Sequence, residues 1–352
     1  MSCPSKSPTR ASRLGAVAAG LLVFFAACND ESSGPTPVAE TPAAPIATID
    51  TDTVATDVLG ADTLATGVLG SDTVTTGVLD AQANQAGIVF GTFNMPNSYL
   101  DNVHTGWMNG GPLDPSNILS NLSGARAKGA RVVIKLCKGK DSFVKNGDGT
   151  FSLTKWKALV SQYRSVDLGP YISDGTIIGH YLIDEPQRAS RWGGQVISQA
   201  TLEDMAQYSK ELWPQMATLV RVVPSWLASA SVSYKYLDAG WTQYTAGKGD
   251  PGKWAASEAS AARRKGLGMV VGMNVIDGGN GSSRIRGVTG GKWSMSASEI
   301  RSYGNALLSE SYACAFFNWQ HNTSYYGRSD IKSAMADVSA KARSHPKTSC
   351  KQ

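Results

Sequence analysis

Residues that bind metal ions or serve as common nucleophile motifs are scarce in this sequence of 352 residues. Its histidines number four and show no paired ligand spacing, which argues against a metal site: His104, His180, His321 and His345. No Gly-x-Ser-x-Gly motif is present, and no Gly-x-Gly-x-x-Gly turn follows the first predicted strand. We therefore expect neither a metalloenzyme nor an α/β-hydrolase with a serine nucleophile, and we expect no nucleotide or other cofactor.

Lysine and arginine are absent from residues 29–86, where all the charged side chains are acidic. Residues 32–47 are rich in Pro, Thr and Ala and bury too little apolar surface to fold. A ten-residue unit then starts at Asp52, Asp62 and Asp72. We expect residues 28–86 to form a disordered, repeat-bearing stalk, with a small β-rich stack of the three units as the alternative.

The net charge of the whole chain is +5, so the positive charge lies outside the acidic stalk. A basic domain favours acidic partners such as uronic-acid or sulfated glycans or anionic lipid headgroups, and we expect no nucleic acid among its partners. Solubility alone is the alternative explanation of this charge.

The first residues have the composition of an export signal. Lys6, Arg10 and Arg13 precede an apolar stretch over 14–25, and small residues lead up to Cys28. This arrangement resembles a bacterial lipoprotein signal over residues 1–27, with Cys28 as the lipidated residue; an ordinary cleaved signal is the alternative. We expect a protein of the bacterial cell envelope, held at the membrane by its lipid anchor only, or a secreted protein.

From residue 87 onward, strand-like apolar runs alternate with helical periodicity, which predicts a parallel sheet covered by helices. The predicted strands are 88–93, 131–136, 176–183, 219–223, 234–237, 267–275 and 312–318, and the predicted helices are 115–128, 153–164, 201–212, 251–265, 298–308 and 330–343. This pattern favours an α/β fold, a (β/α)8 TIM-type barrel over residues 87–352, with one strand missing or irregular. We expect that strand within 137–171 as the third; a doubly wound open sheet is the competing fold.

Three cysteines lie in this domain. In an oxidising compartment Cys314 and Cys350 could pair and attach the C-terminal tail to a core strand, while Cys137 would be a small buried residue. Spacing alone does not establish the pairing.

Polar and aromatic residues that bind sugars follow the predicted strands. In a barrel, functional groups lie just past the C-terminal ends of the strands. Carboxylates and amides bond sugar hydroxyl groups, and aromatic faces stack on pyranose rings. The candidates at these positions are Asn94, Lys135, Asp184, Glu185, Trp226, Asp238, Trp241, Asn274, Asp277, Asn318 and Trp319.

Asp184 and Glu185 end the run 176–183 and are followed by Pro186, which cannot continue a strand ladder. Two adjacent carboxylates repel when both are charged, so one keeps its proton to higher pH and could act as an acid. Strand alternation points the two side chains in opposite directions unless the chain turns there. The alternative is that Asp184 pairs with a nearby Arg or Lys and Glu185 alone faces the site.

The strand ending in Asp184-Glu185-Pro186 resembles the strand-four signature of the glycoside hydrolase superfamily of (β/α)8 barrels. Its large retaining clan has Asn-Glu-Pro there, with the Glu as acid/base. The resemblance extends over residues 87–345 and implies a carbohydrate substrate, with Glu185 as general acid. The clan also carries a nucleophile on strand seven and a tryptophan on strand eight, positions filled here by Asp277 and Trp319.

Two departures from the clan leave the mechanism open. Its nucleophile is Glu, and no glutamate lies near the end of the predicted strand 267–275. Asp184 replaces the clan's Asn, and an Asp-Glu pair resembles hydrolases of N-acetylhexosamine glycans, in which the Asp orients the substrate's own acetamido group. Asp184 or Asp277 would then be the second catalytic residue, in a substrate-assisted or a retaining mechanism respectively.

We therefore expect a glycoside hydrolase-like enzyme that cleaves a polysaccharide or surface glycan, which could be anionic. The alternative is a carbohydrate-binding surface lipoprotein that has kept the barrel without its catalysis. A carboxylate across the mouth of the barrel from Glu185 would favour cleavage, and its absence would favour binding.

Overall fold

The computed structural model describes residues 87–108, 113–346 and 349–351. The signal sequence predicted over residues 1–27, Cys28 and the repeat-bearing stalk lie outside the described residues and remain predictions. No helix within the described ranges combines the length and the apolar character that crossing a membrane requires.

Eight parallel strands in the described part of the chain close into a barrel in sequence order, and β1 pairs with β8. They are β1 (Phe90–Phe93), β2 (Gly106–Met108), β3 (Arg131–Ile134), β4 (Ile177–Asp184), β5 (Thr218–Arg221), β6 (Ala239–Trp241), β7 (Gly268–Val271) and β8 (Ala313–Asn318). The (β/α)8 barrel predicted from the sequence is confirmed. Because all the strands run the same way, their C-terminal ends form one mouth of the barrel.

Helices cover the outside of the barrel at nearly the predicted positions. They are α1 (Ile118–Ala127), α2 (Leu153–Ser161), α3 (Gly169–Ser173), α4 (Gln199–Leu212), α5 (Pro224–Ala228), α6 (Pro251–Arg264), α7 (Ala297–Leu307), α8 (Thr323–Tyr326) and α9 (Ser329–Arg343). Helix α7 begins with a capping box, in which Ser296 and Glu299 each bond the other's backbone N–H. The predicted helices were the long amphipathic ones, whereas α3, α5 and α8 are too short to show a period.

Two strand predictions were wrong. The missing strand is β2, not a strand within 137–171, so Arg131–Ile134 is the third strand rather than the second. With three residues and a glycine at its start, β2 shows no alternating pattern to detect. The strand predicted over 234–237 is also displaced, because β6 starts at Ala239. The prediction that residues 176–183 form strand four is confirmed.

Two apolar clusters stabilise the fold. The larger lies between the strands and the helices, and the smaller joins side chains from inside the barrel, among them Val133, Leu219, Val270 and Phe317. Close approach shapes this interior: a Cβ on Gly91 would lie 2.3 Å from the Gly106 carbonyl oxygen and 2.9 Å from the Phe317 ring. Glycines on β1 and β2 therefore make room for the Phe317 ring.

The N-terminal end of the barrel is closed by the C-terminal tail. Cys314, in β8, forms a disulfide with Cys350, which confirms the pairing considered from the sequence. Cys137 is buried as a free thiol, also as expected. At the same end, Ile88 donates its backbone N–H to the Ala342 carbonyl oxygen at 3.0 Å. The first and the last residues of the described barrel domain therefore both lie at the end opposite the mouth.

Candidate functional site at the barrel mouth

Asp184 and Glu185 stand at the mouth, at the end of β4, and both carboxylates share the same neighbours. Asp184 is the last residue of the strand, and Glu185 has a left-handed backbone with φ of 44°. This turn breaks the alternation that would point the two side chains apart, as required for both to reach one site. Non-glycine residues seldom adopt this conformation, and they do so most often at functional sites.

Asp184 is buried and lies between two arginines. Arg191 Nη1 donates to its Oδ2 at 2.7 Å, and Arg221 Nε contacts its Oδ1. Burial alone would raise the pKa of Asp184, but the charges of Arg221, Arg191 and Lys135 outweigh it and hold that pKa below its ordinary value. Asp184 is thus charged at neutral pH and fixes the two guanidinium groups.

Glu185 is less buried than Asp184 and contacts three arginines. Arg221 Nη2 lies 2.7 Å from its Oε1, while Arg188 Nη1 and Arg191 Nη1 donate to its Oε2 at 2.9 and 3.1 Å. Both oxygens of Glu185 therefore accept hydrogen bonds from arginine side chains, and the Oε2 atom accepts two of them.

Aromatic rings form the floor beneath this network. The Phe93 and Trp319 rings stack with centroids 4.4 Å apart, and Tyr181 and Trp241 pack edge-on at 5.9 Å. The Arg221 guanidinium lies 4.2 Å from the centre of the Trp319 ring, a cation–π contact. Trp241 is buried and donates its indole N–H to the Phe317 carbonyl oxygen. These two tryptophans thus support Arg221 from below.

Two further predicted residues lie at the mouth. Lys135 directly follows β3, is 4% exposed, and places its ammonium group 5.7 Å from the centre of the Tyr181 ring. Asn94 directly follows β1, is exposed, and has a left-handed backbone with φ of 57°. Lys135 adds positive charge below the carboxylates, and Asn94 is available to solvent at the rim.

Asp277 and Asn274 are joined to the long loop that follows β7. Asp277 accepts hydrogen bonds from the Thr289 backbone N–H at 3.1 Å and from its hydroxyl at 2.8 Å. Asn274 Oδ1 accepts from the Asp277 backbone N–H at 3.0 Å. Both side chains therefore hold the loop in shape, and the Asp277 carboxylate is already engaged by Thr289.

Three predicted binding residues make other contacts, and the position predicted for one of them, Asp238, is corrected. Asp238 precedes β6 instead of following a strand; it lies at the opposite end of the barrel, where it bonds the Thr218 N–H and pairs with Lys210. Asn318 is fully buried, and its amide contacts the Met273 N–H and the Met335 sulfur on α9. Trp226, on α5, packs against the outer apolar cluster.

The residues that sequence reasoning missed are mainly arginines. Arg221 ends β5, and a charged residue within the predicted apolar strand 219–223 was a signal for it. Arg191 lies in the loop after β4, and Gln243, whose Oε1 accepts from Arg221 Nη1 at 3.2 Å, lies just beyond β6. Nothing in the sequence distinguishes Arg191 from other loop arginines, since only folding brings it to Asp184.

In the described part of the chain, no group of three or more His, Cys, Asp or Glu residues has the geometry of a metal site. The side chains described at the mouth carry carboxylates, guanidinium groups, amides and aromatic rings.

No family model matches the sequence, and no curated protein matches it. Several solved structures, in contrast, are similar to this chain in fold. A beta-glucanase from Saccharophagus degradans superposes with a TM-score of 0.52 at 7% identity, covering 73% of this chain and 88% of that one. A GH18 chitinase from Pseudoalteromonas aurantia superposes with a TM-score of 0.42 at 13% sequence identity, covering 71% of this chain and 99% of that one. An endocellulase from Pyrococcus horikoshii, in complex with cellotetraose, superposes with a TM-score of 0.44 at 13% identity, covering 72% of this chain and 92% of that one. The likeness to the beta-glucanase shows that this chain shares its barrel fold.

Proposed function

We propose that this protein binds a polysaccharide at the C-terminal mouth of its barrel and does so without cleaving it. The proposal rests on the contacts of Glu185, because both of its carboxylate oxygens accept hydrogen bonds from arginine side chains. A general acid must turn a carboxyl oxygen toward the leaving group, and both oxygens of Glu185 already face arginine N–H groups. A hydroxyl-rich ligand needs no such free oxygen and can use the fixed carboxylates and guanidinium groups as hydrogen-bond partners.

The opposite side of the mouth supports the same proposal. Hydrolysis with an enzyme nucleophile or base requires a second carboxylate across the glycosidic bond. In the loop between β7 and α7, Asp277 supplies the carboxylate. Thr289 already donates a hydrogen bond to each of its two oxygens. The mouth is thus equipped to hold a sugar chain better than to cut one.

Cleavage is the second candidate, favoured by one observation. The left-handed turn at Glu185 brings both carboxylates into one site at the end of strand four, the place that the resemblance assigns to the acid. In a catalytic cycle a bound sugar would have to displace Arg188, the most exposed of the three arginines, to reach the Glu185 oxygen that Arg188 contacts.

Affinity electrophoresis against neutral and acidic polysaccharides, combined with a reducing-end assay, separates the two functions. We expect wild type to be retarded by at least one polysaccharide and to release no reducing ends. Release of reducing ends by wild type, lost in Glu185→Gln, would establish cleavage and overturn binding without catalysis. A wild-type protein that neither binds nor cleaves any polysaccharide would refute both candidates.

A further inference from the structure

The rim of the mouth next to β3 and β4 includes an arginine that is largely exposed. Two of its three arginines are fully engaged: Arg191 bonds Asp141, Asp184 and Glu185, and Arg221 bonds Asp184, Glu185 and Gln243. Arg188 differs. Its side chain is 62% exposed and contacts Glu185 through Nη1, which leaves its Nε and Nη2 edge open to solvent.

The loop after β3 brings more cations to the same rim. Arg191, in the loop after β4, bonds Asp141 with Nε at 2.5 Å and Nη2 at 3.0 Å, so the two loops are fastened together. Just before Asp141 stand Lys138, which has a left-handed backbone, and the exposed Lys140. Asp141 is thus engaged by Arg191, while Lys140 is exposed and Lys138 is half-buried. The other acid of this loop, Asp148, accepts hydrogen bonds from Thr150.

An exposed aromatic ring accompanies these cations. Phe143 is 45% exposed, although large apolar side chains are normally covered, and the Lys138 ammonium lies 5.2 Å from the centre of its ring. An aromatic face beside fixed cations suits a sugar ring that carries a negative group, since the ring stacks while the charge is paired. A neutral polysaccharide could stack on the Phe143 ring but would offer no charged group to the cations.

We propose that the ligand is a polyuronate, a carboxylate-bearing polysaccharide, which lies along the rim formed by Lys138, Phe143 and Arg188. The open edge of Arg188 pairs with a uronate carboxylate, because a planar guanidinium matches that group with two parallel N–H bonds. Lys138 pairs with another uronate of the chain, and Phe143 stacks on a sugar ring. This assignment rests on the proposed polysaccharide binding and names the class of its ligand.

Polygalacturonate and its highly methyl-esterified form test the assignment, since they share a backbone and differ in charge. We expect isothermal titration calorimetry to show binding of polygalacturonate that weakens with added salt, and at least tenfold weaker binding of the ester. Arg188→Ala should weaken polygalacturonate binding by about tenfold, as expected for a lost hydrogen bond between charged groups. The matched control is Arg164→Ala, which removes an exposed arginine from the segment that follows α2. This variant should bind polygalacturonate as wild type does.

Phe143→Ala gives a readout that does not depend on charge. It should weaken polygalacturonate binding while leaving the salt dependence unchanged. Equal binding of the ester and the acid, equal binding of dextran sulfate and polygalacturonate, or equal loss in the Arg188 and Arg164 variants would overturn the polyuronate assignment. In the first case the proposed polysaccharide binding would still stand, whereas a protein that binds neither acidic nor neutral polysaccharides would end both proposals.

Discussion

The carboxylate of Asp141 holds the guanidinium of Arg191 with two hydrogen bonds, of 2.5 and 3.0 Å, and so joins the loop after β3 to the loop after β4. Asp141→Ala removes a negative charge beside the proposed ligand. If only charge mattered, losing this repulsion should improve the binding of a polyanion. We expect weaker binding instead, by about fivefold or more, because the two halves of the rim lose their alignment.

The measurement is calorimetric titration with polygalacturonate. Asp204→Ala, which removes an exposed acid on α4, is the matched control and should leave the affinity unchanged or slightly raised. Tighter binding by the Asp141 variant would show that the rim acts through charge alone.

Arg221→Met should lower the free energy of unfolding by about 3–5 kcal/mol, because it leaves the buried Asp184 carboxylate with one arginine fewer. Folded Asp184 has a lowered pKa, so its stabilising contribution is present above its ordinary pKa of 3.8 and is lost as the pH falls through the folded value. Removing Arg221 raises that pKa, so we expect the acid loss of stability to begin at higher pH.

Urea denaturation of both proteins between pH 3 and pH 7 measures this effect. Arg188→Ala serves as the comparison and should cost less than about 1 kcal/mol, since Arg188 is largely exposed. Equal losses in the two variants would mean that the buried arginine has no special role.

Asp277→Ala and Thr289→Val should both weaken the loop after β7, because each removes the hydrogen bond between the Asp277 carboxylate and the Thr289 hydroxyl. We expect each to destabilise the protein by about 1 kcal/mol, with the double variant costing little more than either single one. If the Asp277 variant abolished a carbohydrate-cleaving activity that the Thr289 variant kept, Asp277 would have the catalytic role predicted from the sequence.

Stability should fall as the pH is lowered below 6.5, and His180 supplies part of the slope. This side chain is fully buried between Trp156 and Trp213, bonds Ser209, and has a pKa lowered by burial to about 3. In the unfolded chain His180 takes up a proton as the pH falls through 6.5, whereas in the folded protein it does so only near pH 3. Between these values the unfolded state binds more protons, so stability decreases by up to about 1.4 kcal/mol per pH unit for this group.

His180→Gln removes the titrating group and should flatten the dependence of the urea midpoint on pH between 6.5 and 4.5. The pKa values of His104 and His321 are also lowered, chiefly by burial, so the difference between wild type and variant isolates His180. Parallel curves would contradict a neutral buried His180.

The sequence allowed the barrel and the place of strand four to be predicted because β4 is long and apolar, and the amphipathic helices give a clear period. It did not allow β2 to be found, since a strand of three residues has no pattern. At the site, the strand end placed Asp184 and Glu185 at the mouth, but their arginine partners come from the loop after β4 and from β5. Arg188 and Arg191 look like ordinary solvated arginines until folding places them. Asp238 was assigned to the wrong end of the barrel because the predicted strand 234–237 ends before β6 begins at Ala239.

The closure of the barrel's N-terminal end has a practical consequence. Gly87 packs so closely against the backbone of Ala342 and Arg343 that a Cβ there would lie 2.2 Å from the Ala342 carbonyl oxygen, and the tail at Cys350 is fastened to β8 at the same end. A protein immobilised on a biosensor or bead through the exposed Lys351, which follows Cys350, would present its open mouth to the solution, which suits surface-based measurement of large, slowly diffusing polymers.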